Sequence, residues 1–277
     1  MVDQHAIPIR KRQVTVEDLA RNHYEQDEVV RLYGQRGQLL PAEETLLDVY
    51  RDRVAGKRVL DLGCGGGRTS ARLHEMAAEY VGLDYSARMI ETCKERYPGF
   101  TFVQGDATEL SLFGDASFEF VIFSYNGIDT MSHASRLKVL QEVFRVLRPE
   151  GSFAFSSHSI DFRSIALWFD RRASLVSLRK HAKNLIGYLQ VRRHQVRTSD
   201  YAILSDPRAG YRQVTYFISK PSQIAQLEAA GFDDVAILSW DGRLVQADTI
   251  DRDSMAFYYI CRKPAPEPGA ANPASDG

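Results

Sequence analysis

Between residues 59 and 156, short apolar runs alternate with amphipathic stretches. Val59, Leu60 and Leu62 make a buried strand that runs directly into Gly63, Gly65, Gly66 and Gly67, and the spacing after it predicts a helix from Arg68 to Ala78. Tyr80 to Asp84 is a second strand ending in a carboxylate. Ser86 then caps a helix that turns Met89, Ile90, Cys93 and Tyr97 inward and stops at Pro98 and Gly99. Phe100 to Val103 is a third strand, ending in Gly105 and Asp106. Phe118 to Phe123 is a fourth, ending in Ser124, Tyr125, Asn126 and Gly127. A helix from about Ser135 places Leu137, Leu140, Phe144 and Leu147 on one face, and after Gly151 the stretch Ser152 to Ser156 is a fifth strand. This alternation implies an α/β protein with a mainly parallel sheet covered on both faces.

The flanks differ. Residues 1 to about 15 show no period and are expected to be loosely held; Val16 to Leu40 predicts one or two short amphipathic helices. Pro41 suits the first turn of a helix, Glu43 and Glu44 complement its dipole, and Leu46, Leu47, Tyr50 and Val54 form its apolar face. From Ser157 to about Gly210 the alternation lapses into a basic, partly helical insertion carrying, among others, Arg163, Arg171, Arg179, Lys180, Arg192, Arg193 and Arg208, with Arg212 just beyond. Val214 to Ile218 is extended, Pro221 to Ala230 a helix closed by Gly231, and Val235 to Trp240 with Met255 to Cys261 a closing antiparallel pair. The expected division is a segment 1–40, a main domain 41–263 with the insertion at about 157–213, and a disordered Pro- and Ala-rich tail 264–277.

Composition narrows the class. A chain of 277 residues, 44% hydrophobic and 26% charged, can bury one sizeable core and a smaller appendage, and a net charge of −1 gives no push toward nucleic acid or membrane. Cys64, Cys93 and Cys261 lie in apolar segments without zinc-site spacing, which fits a reducing cytoplasm and no metal site. No apolar run reaches the length of a signal core or a membrane span, so a soluble protein is expected.

In an open parallel sheet, ligands bind beyond the carboxyl ends of the strands. The glycines let the backbone turn sharply and approach a ligand, although a tight strand-to-helix connection uses some of the same residues. Asp84, 21 residues beyond Gly63, stands where a carboxylate accepts both hydroxyls of a ribose, or caps the following helix. Asp106 is placed for an exocyclic amine such as that of adenine, or is a turn residue.

Together these residues resemble class I S-adenosylmethionine-dependent methyltransferases of the small-molecule type, over about Pro41 to Ser157 and again Val214 to Cys261. Val59 to Gly67 is similar to the family's first motif, Asp84 to its acidic ribose position, Asp106 with Ala107 to its adenine position, and Ser124 to Gly127 to its fourth motif. Glu142 to Gly151 and Leu227 to Phe232 resemble its helix ends before the fifth strand and the last hairpin. The resemblance implies a Rossmann-like, mainly parallel seven-stranded sheet with an antiparallel last strand and a helical insertion after the fifth strand. It implies S-adenosyl-L-methionine as cofactor, held by Asp61, Gly63, Cys64, Gly65, Gly67, Asp84, Tyr85, Met89, Asp106, Ala107, Ser124, Tyr125 and Asn126. It also implies that the N-terminal segment, with Tyr24, Tyr33 and Arg36, folds over the cofactor as a lid. A dinucleotide fingerprint needs a third glycine where Arg68 stands, and no Gly-Lys-Ser or Gly-Lys-Thr phosphate loop is present.

A sulfonium methyl is already electrophilic, so transfer needs an aligned nucleophile and a dry site; a metal is not required. A hydroxyl acceptor is helped by a general base, whereas an amine need only arrive unprotonated. His158, past the fifth strand, is the candidate base, against the alternative of a hydrogen-bonded loop histidine. Tyr125, Asp129 and His133 follow the fourth strand and are candidates to line the acceptor cavity, although Asp129 equally suits a helix cap; Tyr216 either closes that cavity or packs half-buried. The basic insertion is a solvated face, a homodimer contact, or a cover in which Arg192 and Arg193 favour a carboxylated or phosphorylated acceptor such as a nucleotide-linked sugar or polyketide-type metabolite. The expected function is methyl transfer to oxygen or nitrogen of a small molecule. Methylation of a tRNA base and a non-catalytic cofactor-binding subunit are the alternatives; no basic strand face with interleaved aromatics favours RNA.

Overall fold

The computed structural model describes residues 14–35, 37–162, 178–206 and 210–266. The expectations for residues 1–13, Arg36, residues 163–177, Arg208 and the end of the tail lie outside these.

Strand β1 (Arg58–Leu62) is flanked on one side by β2 (Glu79–Asp84) and β3 (Thr101–Gln104), and on the other by β4 (Phe118–Phe123) and β5 (Leu147–Ser159), all in parallel register. Val59 to Leu62 are buried throughout because helices cover both faces of the sheet. On one face α3 (Pro41–Val49) packs Leu46 and Leu47 beside Val59, Phe120 and Ile122; on the other, α7 (His133–Val146) packs against Leu62, Val121 and Phe153. The buried stripe of α7 is Arg136, Val139, Leu140, Val143 and Val146, rotated from the expected Leu137, Leu140, Phe144 and Leu147. The stripe is headed by an arginine, and Leu147 already belongs to β5.

The closing pair is present: β10 (Ala256–Arg262) runs antiparallel to β5 and pairs with β9 (Asp233–Ser239). These seven strands realise the expected sheet. Three more extend it to ten, so the insertion is not purely helical. It contains a helix (Leu178–Val191), then β6 (Val196–Arg197) and β7 (Tyr201–Ser205), which pairs antiparallel with β8 (Val214–Ile218). β4 leaves the edge of β5 at Phe155, β5 runs on, and His158 and Ser159 take Phe217 and Ile218 of β8 as parallel neighbours. The extension therefore sits over the carboxyl end of the sheet.

Two short helices, α1 (Val16–Tyr24) and α2 (Asp27–Gln35), cover the same end. A capping box between Thr15 and Asp18 starts the first. Glu17 accepts hydrogen bonds from the Ser132 N–H (3.0 Å) and the Ser135 hydroxyl (2.6 Å), while Arg88 donates to the Glu25 carbonyl (2.7 Å) and Arg96 to that of Gly34 (3.0 Å). Among the described residues, no helix is long and apolar enough to cross a membrane and no cluster of side chains suits a metal.

Candidate active site

The strand ends converge on a cavity of about 940 Å³, lined by the glycine turn after β1, Asp84 and Tyr85 after β2, Asp106 and Ala107 after β3, and Ser124 and Tyr125 after β4. Met89 and Cys64 complete its wall, and Tyr24 and Tyr33 roof it. The turn needs its glycines: a Cβ on Gly66 would stand 2.6 Å from the backbone carbonyl of Tyr33, so α2 lies directly on it. Asp84 Oδ2 accepts the Gly65 N–H and Oδ1 the Ser86 N–H, both at 2.9 Å. Burial outweighs these bonds and pushes its carboxyl up to about 6. The following helix, α6 (Ala87–Arg96), is capped by the Ser86 hydroxyl, which leaves Asp84 on the cavity wall. Asp106 Oδ1 is held by the N–H and hydroxyl of Thr108 (2.9 and 2.8 Å), and Oδ2 lies 3.7 Å from Arg21.

Two of the expected cofactor residues lie beneath this cavity and not on its wall. Asp61 accepts hydrogen bonds from Thr69 (2.7 Å) and Tyr80 (3.0 Å), and burial pushes its carboxyl up to about 7. Gly67 is where a side chain would strike Tyr97 at 2.7 Å. A third, Asn126, lines a neighbouring cavity.

That second cavity, about 1970 Å³, shares Tyr24, Tyr33, Tyr125 and Thr130 with the first. At the junction, Tyr125 and Asn126 are both left-handed (φ 56° and 60°), a conformation that non-glycine residues hold only when their surroundings impose it. The imposing group is a buried polar knot. Arg68 stacks under Tyr125 (4.9 Å to the ring centre), donates to Ser124 (3.2 Å) and pairs with Glu43, which also accepts from Ser124 and from Tyr258 (2.7 Å). Burial would raise the Glu43 carboxyl, but Arg68 and the Leu40 N–H outweigh it and hold it below the ordinary range.

His158 lines the second cavity near the end of β5 and is 6% exposed. Its Nδ1 and its backbone N–H each lie 2.7 Å from Asp129 Oδ2. The other oxygen of Asp129 accepts from Arg136 (2.6 Å) and Ser157 (2.7 Å). Arg136 is itself fully buried and also reaches the Ile128 carbonyl and Gln223. The other ring nitrogen of His158, Nε2, lies 3.3 Å from Asn126 Nδ2. Asp129 is no helix cap: Ser132 caps α7.

Three expectations for the acceptor side fail on geometry. β8 alternates, placing Gln213, Thr215 and Phe217 on one face and Val214, Tyr216 and Ile218 on the other. Tyr216 is therefore fully buried on the far side, its hydroxyl 2.8 Å from His133 Nδ1 and 3.0 Å from Gln226 Nε2. His133 stacks on Tyr201 at 4.2 Å and lines neither cavity. Arg192 and Arg193 are exposed in a short 3₁₀ turn, with Arg193 donating to the Val14 carbonyl (3.2 Å). Glu43, Arg136, Gln213 and Trp240 went unforeseen; the one available signal was Arg136 at the head of an apolar stripe continued by Val139, Val143 and Val146.

Residues 59–151 match the family model described as a methyltransferase domain. Over this third of the chain it is similar to S-adenosylmethionine-dependent methyltransferases. It is 40% identical over 104 residues to a demethylmenaquinone methyltransferase of Beutenbergia cavernae (38% of this chain, 42% of that one). It is 39% identical over 107 residues to a phthiotriol/phenolphthiotriol dimycocerosates methyltransferase of Mycobacterium tuberculosis (37% and 38%). The match thus spans about two fifths of the length of these curated relatives. The CcbJ methyltransferase of Streptomyces caelestis shares the fold at TM-score 0.57 and 16% identity, over 88% of this chain and 98% of that one. So does the Burkholderia thailandensis 1,6-didemethyltoxoflavin-N1-methyltransferase, solved with its substrate and S-adenosylhomocysteine, at 0.57 and 14% over 95% and 93%. These likenesses support S-adenosylmethionine as the cofactor.

Proposed function

We propose that this methyltransferase transfers a methyl group to a hydroxyl oxygen of a small, uncharged organic acceptor seated in the second cavity, with His158 as general base. The observation that carries this reading is the chain Arg136–Asp129–His158: a fully buried arginine fixes the carboxylate, the carboxylate fixes Nδ1, and the ring is thereby held on the cavity wall with Nε2 toward Asn126. An amine acceptor would give so well-placed a base nothing to do in the transfer itself.

The first cavity fits S-adenosylmethionine. Asp84 would hold the ribose hydroxyls, Asp106 the adenine amine, and the turn from Gly63 to Gly66 the amino acid end. The bound cofactor supplies an electrophilic sulfonium methyl. Tyr24 and Tyr33, on both cavities, exclude water from the junction, where Tyr125 orients the acceptor against the methyl. His158 would take the hydroxyl proton on Nε2 as the C–O bond forms and the sulfonium S–C bond breaks to leave S-adenosylhomocysteine, and Asp129 would stabilise the resulting imidazolium.

The described lining of the second cavity gives an anionic acceptor little help. Arg212 shares the lining with the carboxylates Glu28, Asp129 and Asp206, and burial lowers the pKa of His23. The test is calorimetry with S-adenosylhomocysteine followed by incubation with a metabolite extract and labelled cofactor, with the product identified by mass. An O-methylated, uncharged product is expected. A product methylated on nitrogen or carbon, or ligand binding with no product from any extract, overturns this reading, the latter in favour of a non-catalytic subunit.

A further inference from the structure

Two buried side chains on the second cavity carry hydrogen-bonding oxygens with no partner among the described residues: Asn126 Oδ1 and Gln213 Oε1. Both residues are 7% exposed. An unmet buried acceptor is destabilising and rare in folded proteins, and where it borders a cavity the natural partner is a ligand donor. The two lie at different ends. Asn126 adjoins His158, its Nδ2 3.3 Å from Nε2. Gln213 precedes β8 by one residue and stands four positions before Phe217, which is the register partner of His158, so it is roughly 13 Å further along a strand. The same cavity is lined by Tyr33, Tyr125, Trp240, Leu32 and Met255, alongside polar residues that include Thr130 and Thr215.

We propose that Gln213 is a specificity-determining residue and that the acceptor is an elongated, uncharged aromatic compound of two or more rings bearing a hydroxyl at each end. The near hydroxyl lies between Asn126 Oδ1 and His158, donating to Asn126 Oδ1 as it binds and passing its proton to Nε2 as it is methylated; the other donates to Gln213 Oε1. Aromatic walls suit flat rings, and the length between the two unmet oxygens excludes a single ring. This inference rests on the acceptor occupying the second cavity, as proposed above.

The probes are para,para-biphenol, para-phenylphenol, which lacks the far hydroxyl, and hydroxybiphenyl carboxylic acid, which carries a carboxylate in its place. Calorimetry is run on the full chain saturated with S-adenosylhomocysteine. The biphenol is expected to bind about tenfold more tightly than phenylphenol, and the carboxylate no better than phenylphenol. In Gln213→Leu the biphenol preference should fall to about one, with phenylphenol affinity unchanged; retained S-adenosylhomocysteine affinity shows that the variant is folded. Equal binding of the two phenols by the unaltered protein, a preference that survives Gln213→Leu, tightest binding by the carboxylate, or binding of none of the three overturns the inference alone. Failure to bind S-adenosylhomocysteine overturns the methyltransferase reading itself.

Discussion

The two cavities share a wall and are built in opposite ways. The first is made of consecutive strand ends, each delivering two or three residues from a short sequence stretch: Gly63 to Gly66, Asp84 with Tyr85, Asp106 with Ala107, Ser124 with Tyr125. The second draws on the N-terminal helices, the turn after β4, the far end of β5, β8 and the segment around Trp240 and Met255. A shared methyl donor can be held by a contiguous, repeatable set of turns. An acceptor peculiar to one enzyme is met by residues that only the complete fold brings together.

The comparison breaks most sharply at His158. Replacing it with Gln should lower kcat roughly a hundred- to ten-thousandfold while leaving S-adenosylhomocysteine affinity alone; stopped-time assays together with calorimetry check both halves. Comparable losses of activity and cofactor affinity would mean that the two cavities are not separate. Asp84→Ala makes the converse cut. The loss of charge-assisted ribose bonds should weaken cofactor affinity by about 1.5 to 3 kcal/mol, roughly ten- to a hundredfold, with acceptor binding to the saturated enzyme unchanged.

The same carboxylate gives the cofactor site a pH dependence. Burial holds its proton up to about pH 6, whereas the unfolded chain releases it near pH ~4, so ionisation costs the fold as pH rises through that window. In the proposed site ribose hydroxyls would donate to the ionised form, so binding would expel the proton. Affinity for S-adenosylhomocysteine should therefore fall about tenfold from pH 7 to pH 5, and Asp84→Ala should flatten this profile.

Gly66→Ala tests the roof shared by both cavities. Its Cβ would meet the Tyr33 backbone, so displacement of α2 should cost about 1 to 3 kcal/mol, visible as faster hydrogen exchange in residues 27–35 and weaker binding of both ligands. The smallest effect belongs to Arg192 and Arg193. Reversing both charges should leave the acceptor KM within about twofold, since exposed charges off the cavity wall are screened by solvent.

What could be read from the sequence follows the same division. The alternation of strands and helices, the strand ends with their carboxylates, and the extended run Val214–Ile218 depend on local periodicity and turn chemistry, and they stand where expected. Asp61 and Gly67 share the first motif with Gly65, yet whether a motif residue faces the ligand or the layer beneath depends on how the turn packs. β7 was hidden because Ala202, Ile203 and Leu204 form too short an apolar run among charges to announce a strand without its partner β8. Glu43 looks like an ordinary helix N-terminal carboxylate until Arg68 and Tyr258, remote in sequence, close on it. Tyr216 and Gln213 differ in fate only by the parity of β8, which no composition reveals.

The length of β5 has one further result. His158 is register partner to Ala256 on one edge and to Phe217 on the other, so a single residue is at once the proposed base and the joint by which the extension is fastened. An extension lifted from its seat would release one side of that joint and open the junction to water. The proposed base and the extension are thus joined through one backbone seam, so a substitution that loosens the extension is expected to disturb His158 as well.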